Sequence, residues 1–422
     1  MASALGIDFG TSNSNVAVAG HNGPHLLPIE GEAIDIPSAV FFDFARKERL
    51  YGRAAVQAYV NDEDGRFMKG LKSILGSDLM HQHTYLNSER ITYAGIVAGF
   101  LKTLKTRAED DLDQPFHTVL AGRPVHFVAA HPDNDADAQA TLHNIYTQAG
   151  FATVEFQFEP IAAALDYERQ VSGEETVLIA DLGGGTSDFS IVRVSPERAN
   201  HHDRSGDILA TGGVRIGGTD LDHIISVDRV MPLLGLNSEL RRDFASGTLT
   251  IPRHIFMALA TWQHVHRLYD QATSREVRDY LRLSQSPHLL KRLQRVLDDR
   301  LGHQLILAVE RAKIALTDDS ETRMQLNDLE PGLTLDITRD EFNALIADTV
   351  ASVGAAMAEC ITNSGTSRDK IDAIFFTGGT AAVPALRDAL TAIVPNARVV
   401  DGDRFGSVGT GLAIEAQRRF GD

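Results

Sequence analysis

Leu5-Gly6-Ile7-Asp8-Phe9-Gly10-Thr11-Ser12-Asn13-Ser14 leads into the apolar run Val16-Ala17-Val18. Far downstream the same plan returns: Val177-Leu178-Ile179-Ala180-Asp181-Leu182-Gly183-Gly184-Gly185-Thr186-Ser187-Asp188, then Phe189-Ser190-Ile191-Val192. Each copy reads as an apolar strand ending in Asp, a Gly turn, hydroxyl side chains and a second strand. A phosphate needs donors that approach closely, and Gly allows this because it has no Cβ. Gly10 to Asn13 and Gly183 to Thr186 would supply facing hairpins, with Thr11, Ser12 and Thr186 adding hydroxyls. Two ordinary Gly-rich hairpins are the alternative reading. The two copies lie too far apart to be one local motif, so they predict two related lobes around one anion site.

Asp8 and Asp181 close their strands among apolar neighbours, where a carboxylate without a partner is costly. Mg²⁺ relieves that cost, since it keeps most of its waters and is often held by one or two carboxylates plus substrate phosphates. The alternative is that each Asp accepts backbone hydrogen bonds within its own turn. A third glycine pair, Phe375-Phe376-Thr377-Gly378-Gly379-Thr380, follows an apolar strand and precedes a helix from about Pro384. Strand-to-helix turns place helix N–H groups at the strand's carboxyl end, a natural anion site.

Around these motifs strand and helix alternate in both halves, as in α/β lobes. Asn22-Gly23 marks a hairpin, Asp133 to Gly150 a helix, Val154 to Phe158 a strand, and Pro160 the first turn of another helix. A long helix is expected from about Arg339 to Asn363. From about Asp222 to Leu316 the chain is helix-rich and polar; Pro232, Pro252 and Pro287 interrupt its heptads, which favours a packed subdomain over a coiled-coil arm.

Composition sets the outer limits. The 422 residues allow two or three domains, and 43% hydrophobic with 23% charged residues is ordinary for a globular protein. A formal charge of −17 argues against nucleic acid and anionic membranes as partners. It does not oppose a nucleotide, because backbone N–H nests act locally. Cys360 is the one cysteine, so no internal disulfide forms and a reducing, cytoplasmic setting is expected. There is no leader-like N-terminus, and no apolar run is read as reaching the roughly 18–20 residues of a membrane span. Neither G-x-x-x-x-G-K-[ST] nor G-x-G-x-x-G occurs, and pairs such as His81/His83 and His264/His266 lack the context of a zinc site.

With these motifs the chain resembles the nucleotide-binding half of the heat shock protein 70 chaperones, in the actin-like ATPase superfamily, and more closely the bacterial YegD-type chaperone-like proteins. The marks are Ile7 to Ser14, Phe158-Glu159-Pro160-Ile161-Ala162-Ala163-Ala164, Asp181 to Asp188, Ile216-Gly217-Gly218-Thr219-Asp220, Glu310-Arg311-Ala312-Lys313 and Gly378-Gly379-Thr380. The resemblance implies the actin-like (ribonuclease H-like) α/β fold with a nucleotide cleft. Lobe I would be 1–171, with an inserted subdomain at about 41–95 and the C-terminal helix 403–422 returning to it. Lobe II would be 172–402, with a helix-rich insertion at about 215–330.

The resemblance also implies ATP or ADP with Mg²⁺ as cofactors. Thr11 and Thr186 would contact phosphates, and Asp8 and Asp181 would orient the hydrated metal and the attacking water. Glu159 matches the family's active-site glutamate, though a carboxylate there would also suit a helix N-cap. Lys72 matches the essential lysine, with Lys69 a close rival. Gly217, Gly218, Gly378, Gly379 and Thr380 fall on nucleotide-binding turns, and Glu310, Lys313 and Thr317 on the helix that meets ribose and base.

Two positions depart from the family: Ile314 and Ala382 stand where long basic side chains sandwich the adenine. Weaker ATP affinity or different base contacts are therefore expected. The resemblance ends at Asp422, short of the leucine-rich linker and peptide-binding domain of a full chaperone. The expected function is ATP hydrolysis coupled to lobe motion and to a protein partner, without client holding. A small-molecule kinase on the same fold and a non-catalytic nucleotide sensor or filament scaffold are the alternatives.

Overall fold

The computed structural model describes residues 4–20, 23–61, 63–75, 78–86, 89–125, 127, 135–198, 201, 203–242, 247–262, 264–402 and 406–421. Asn22, the start of the Asp133 helix and residues 403–405 of the expected C-terminal helix lie outside them. The chain divides into two compact units: 1–215 with 353–381 and 388–422, and 216–352 with 382–387.

The first unit opens with an antiparallel meander of β1 (Leu5–Phe9), β2 (Asn13–Gly20) and β3 (Gly23–Leu26), with short β4 (Ile36–Pro37) paired to β2. An insertion follows. In it β5 (Ala39–Asp43), β6 (Glu48–Tyr51), α1 (Arg53–Val60) and β7 (Gly65–Lys69) form a small sheet ordered β6-β5-β7, ahead of the hairpin β8 (His83–Leu86) and β9 (Glu89–Thr92). The chain then runs α2 (Tyr93–Leu112), β10 (Thr118–Arg123), α3 (Asp135–Gln148), β11 (Thr153–Phe158) and α4 (Glu159–Glu168). Thr92 caps α2 by accepting from the Gly95 N–H at 3.0 Å. The sheet order is β11-β10-β1-β2-β3, with β1, β10 and β11 parallel.

The plan then repeats. A second meander forms from β12 (Glu175–Leu182), β13 (Ser187–Val194) and β14 (Ile208–Val214). Next comes the second unit, with α5 (Gly218–Ile225), β15 (Glu239–Arg241), β16 (Thr248–Thr250), α6 (His254–Leu259), α7 (Gln271–Leu283), α8 (Pro287–Asp298), α9 (Gly302–Asp318), β17 (Glu321–Gln325) and β18 (Thr334–Thr338). Its short helices pack on one another, α7 on α8 and α5 on α9. The unit boundary falls inside α10 (Arg339–Asn363). After it come β19 (Ala373–Thr377), α11 (Pro384–Ile393), β20 (Arg398–Asp401) and α12 (Ser407–Phe420). The second sheet reads β14-β13-β12-β19-β20, with β12, β19 and β20 parallel.

Both sheets are thus one pattern: a meander, then an insertion, then helix–strand–helix–strand–helix. All five residues of β19 are buried, as expected of a parallel strand covered on both faces. The closing helices α4 and α12 pack on each other, and α12 lies against β1 and β2. They share one core with Leu120 of the first sheet and Val177, Ile179 and Phe375 of the second. The other face of the first sheet builds a second core with α2 and α3, including Ile7, Phe9, Leu71, Ala121 and Tyr146.

One helix departs from the sequence expectation about spans: α10 is long and apolar enough, by length and composition alone, to cross a membrane. Its Phe342, Ile346, Val353, Met357 and Cys360 are buried in the protein, while Asp340, Glu341, Asp348 and Glu359 are exposed along it. That is the pattern of a packed amphipathic helix.

Candidate active site

Asp8 is the penultimate residue of β1 and pairs across the hairpin with Asn15; Asp181 holds the same place in β12 and pairs with Asp188. Asn15 Nδ2 donates to Asp8 Oδ2 at 3.4 Å. Asp188 instead takes a 2.7 Å hydrogen bond from the Thr186 hydroxyl. Each turn is clamped by a hydroxyl from a later segment. Ser38 Oγ donates to the Gly10 carbonyl at 2.7 Å, and Thr380 Oγ1 donates to the Gly183 carbonyl at 2.7 Å. The Ser38 N–H also bonds the Ser12 carbonyl at 2.8 Å, and the Gly183 N–H bonds the Thr186 carbonyl at 2.9 Å.

The two turns touch. A Cβ placed on Gly184 would lie 2.4 Å from the Ser12 hydroxyl, which would have to turn aside to admit it. The third turn joins them at Gly378, where φ is +84° and a Cβ would lie 2.9 Å from Asp181 Oδ1. That combination of left-handed backbone and close packing leaves room for no other residue.

Lys72 comes from the insertion. It sits in the 3₁₀ turn Leu71–Ile74 behind Gly70, whose added Cβ would lie 3.9 Å from Thr11 Cγ2. Lys72 Nζ donates to Glu159 Oε1 at 2.6 Å, both side chains being largely buried. Lys69 ends β7 as an exposed residue. Glu159 is the first residue of α4; the N-cap position is Phe158, with no side-chain cap bond, so the glutamate carboxylate serves Lys72. Gly122, at the end of β10, backs Glu159, since a Cβ there would lie 3.2 Å from Glu159 Cγ.

The electrostatics tie these groups together. Burial raises Asp8 from the ordinary 3.8 to about 6; Lys72 pulls it down, Glu159 pushes it up, and the Asn15 hydrogen bond lowers it. Burial raises Asp181 to about 7, with Asp188, Glu159 and Asp8 adding to the rise and Lys72 opposing it. Asp188 is raised by burial, against the Thr186 hydrogen bond. Burial alone would lower Lys72, but the charges of Glu159, Asp8 and Asp181 outweigh it and hold the ammonium above its usual range. Lys72 is thus the cation against four neighbouring carboxylates. Two carboxylates, Asp8 and Asp181, beside a single cation are a donor set that fits a hydrated divalent ion. Among the described residues no group of three or more His, Cys, Asp or Glu is arranged to hold a metal directly.

Gly217, Gly218, Glu310, Lys313 and Thr317 lie in the second unit. Gly217 and Gly218 open α5, with the Gly217 N–H bonded to Asp220 Oδ2 at 2.8 Å. Lys313 Nζ reaches from α9 to the Gly218 carbonyl at 3.0 Å and to Asp222 Oδ1 at 2.8 Å. Glu310, Ile314 and Thr317 follow at helical spacing, and Ile314 is 56% exposed. Ala382 ends the 3₁₀ turn Gly379–Ala382 after β19. A separate cavity of about 860 Å³ in the first unit, lined by Arg123, Gln139, His143, Phe158 and Arg204 among others, contains none of the predicted residues.

Sequence reasoning missed Asn15, Ser38 and Asp188 as site residues. Asn15 and Asp188 were findable, because each stands seven positions after its Asp and so the two copies align there. Ser38 gave no such signal.

The family model described as Hsp70 protein matches residues 4–231 and 276–418. Among curated proteins, the chaperone protein HscA homolog of Shewanella baltica (strain OS195) is 27% identical over 442 residues, covering 99% of this chain and 59% of that protein. The chaperone protein HscA homolog of Methylibium petroleiphilum is 25% identical over 437 residues, with the same coverage of each. The chain therefore spans about three-fifths of the length of the curated relatives it matches.

Proposed function

The chain belongs to the Hsp70 family and has its actin-like ATPase fold, and from that premise we propose that it binds ATP with Mg²⁺ and hydrolyses the γ-phosphate. The observation that carries this reading is the Lys72–Glu159 pair at 2.6 Å, set beside Asp8 and Asp181 where the two glycine turns meet. In this reading the turns Gly10–Asn13 and Gly183–Thr186, with Gly378–Thr380, offer N–H groups and hydroxyls to the phosphates. Asp8 and Asp181 hold the waters of the metal. Glu159 orients the attacking water, and Lys72 answers the charge that develops on the transferring group. Catalysis of phosphoryl transfer is mostly this kind of positioning and electrostatics.

Gly217, Gly218, Glu310, Lys313 and Thr317 take the adenosine in the same proposal. The exposed aliphatic Ile314 on that face supports a looser grip on the base than a stacked cation would give, by about 0.5–2 kcal/mol. The repeated order of elements supports two lobes, 1–171 and 172–402, whose relative motion would follow nucleotide state and be read by a protein partner. The single buried thiol of Cys360 suits a cytoplasmic setting. The test is Mg²⁺-dependent ATPase activity of the wild type beside Asp8→Asn and Lys72→Ala. Equal turnover by all three would reject the site.

A further inference from the structure

The residues assigned above to the nucleoside lie on α5 and α9, two helices of the second unit that pack on each other. On α9, Glu310, Ile314 and Thr317 recur at helical spacing and share one face, with Lys313 beside it. Two of the three polar side chains there are already spent. Lys313 Nζ donates to the Gly218 carbonyl at 3.0 Å and to the Asp222 carboxylate at 2.8 Å. Asp222 is only 8% exposed, so drawing Lys313 out toward a ligand would strand a buried charge. The Thr317 hydroxyl gives its proton to the Ile314 carbonyl at 2.7 Å, which leaves its oxygen to act as an acceptor alone. Glu310 is a carboxylate, and an ionised carboxylate only accepts. Between them Ile314 presents bare hydrocarbon, 56% exposed. Ala382, in the same unit, has no polar side-chain atom.

The bases differ in the order of donors and acceptors along their edges. Each of the four common bases carries an N–H, so acceptors alone meet all of them. Separating adenine from guanine takes a donor set opposite a ring nitrogen or a carbonyl, and here both donors are held by the protein itself. Hydrocarbon stacks under any ring. A site that hydrogen-bonds one ligand rejects its analogues by about 10⁴–10⁵, whereas apolar contact separates them far less.

We propose that the site chooses its nucleotide by the triphosphate and not by the base, so that its substrate class is nucleoside triphosphates as a group. The proposal deepens the ATPase reading and rests on it for where the nucleoside lies. The experiment is calorimetric binding of ADP, GDP, CDP and UDP with Mg²⁺ to the wild type and to Ile314→Arg. Steady-state hydrolysis of the four triphosphates by the wild type accompanies it. Dissociation constants and kcat/KM should each fall within about tenfold across the four bases. A wider preference for any one base overturns the proposal. Ile314→Arg sets a guanidinium where the hydrocarbon stood, and should tighten ADP and GDP, with their larger rings, about fivefold and CDP and UDP less. A variant that binds all four as the wild type does would take the base off this face and overturn the proposal too. If all four diphosphates bind alike while no triphosphate turns over, base indifference stands and the hydrolysis reading falls. If ATP and ADP alone bind and ATP turns over, the hydrolysis reading stands and base indifference falls. If no nucleotide binds, both fall.

Discussion

The β1–β2 and β12–β13 hairpins occupy the same place in their sheets, carry Asp at the same step and are each clamped by a hydroxyl on the second residue after it. They differ in what faces that Asp: Asn15 donates to Asp8, whereas Asp188 adds a second negative charge beside Asp181. The same backbone thus holds one carboxylate that is partly relieved, at about 6, and one that is repelled, at about 7. One cation, Lys72, answers both. The repeat supplies the frame, and the unlike partners make the two halves chemically unequal.

Removing the shared cation should have the largest effect, because it strips both hairpins at once. Lys72→Ala leaves Glu159, Asp8 and Asp181 facing one another. ATPase turnover is expected to fall by about 10²–10³-fold, the scale for losing one preorganised charge-stabilising donor. Lys69→Ala, at the exposed end of β7, should keep activity within about twofold, a surface change away from the site. Steady-state kinetics on both variants decide it; equal losses would end the claim that Lys72 is the site's cation.

The next effect separates the hairpins by pH. Asp181 has a folded value of about 7 against an ordinary 3.8, so between these limits the folded chain holds a proton that the unfolded chain has released. Stability from this group is present below the lower value and is lost as pH rises toward 7. At about 1.4 kcal/mol for each pH unit, the full effect is on the order of 4 kcal/mol. Asp181→Asn copies the protonated carboxyl at every pH. The nucleotide-free variant should therefore melt above the wild type at both pH values, with the gap at pH 5 less than half of the gap at pH 8. Asp8→Asn should show the same sign with a smaller gap. Melting curves at the two pH values suffice, and a gap that grows toward pH 5 would reverse the argument.

Exchanging the facing residues sharpens the comparison further. Like charges directly opposite on paired strands cost up to about 1 kcal/mol. Asp188→Asn should raise the melting temperature at pH 8, and Asn15→Asp should lower it by a similar amount. Thr186 keeps an acceptor in the first variant, so the turn itself is preserved.

How much of this could be read from the sequence follows the range of each interaction. The Asp, the glycines and the hydroxyls of each turn are local, so the repeat was visible, as were the α10 helix and the strand before Gly378. Lys72 could not be separated from Lys69 by residue type, since the Gly70 backbone and the 3₁₀ turn choose which ammonium turns inward. Glu159 also suited a helix cap, and its partner stands 87 residues away. Ser38 was invisible as a site residue, because it bonds a main-chain carbonyl across 28 positions.

The smallest predicted effects concern the clamps, and they test whether the hairpins act singly or as a pair. Ser38→Ala removes the bond to the Gly10 carbonyl and the 2.8 Å contact with the Ser14 hydroxyl, while Thr380→Val removes one bond to the Gly183 carbonyl and keeps the side-chain shape. Each should cost about 1 kcal/mol, with Ser38→Ala the larger, because a net hydrogen bond is worth about that much. Nucleotide affinity measured by calorimetry should fall about fivefold and about threefold. Independent turns would give a double variant whose losses add to within about 0.5 kcal/mol. The Ser12 hydroxyl, however, lies against Gly184, so slack in one turn relieves the other. The double variant should therefore lose less than the sum. Strict additivity would mean that the hairpins meet without sharing load, and the contact at Gly184 would then be one of fit alone.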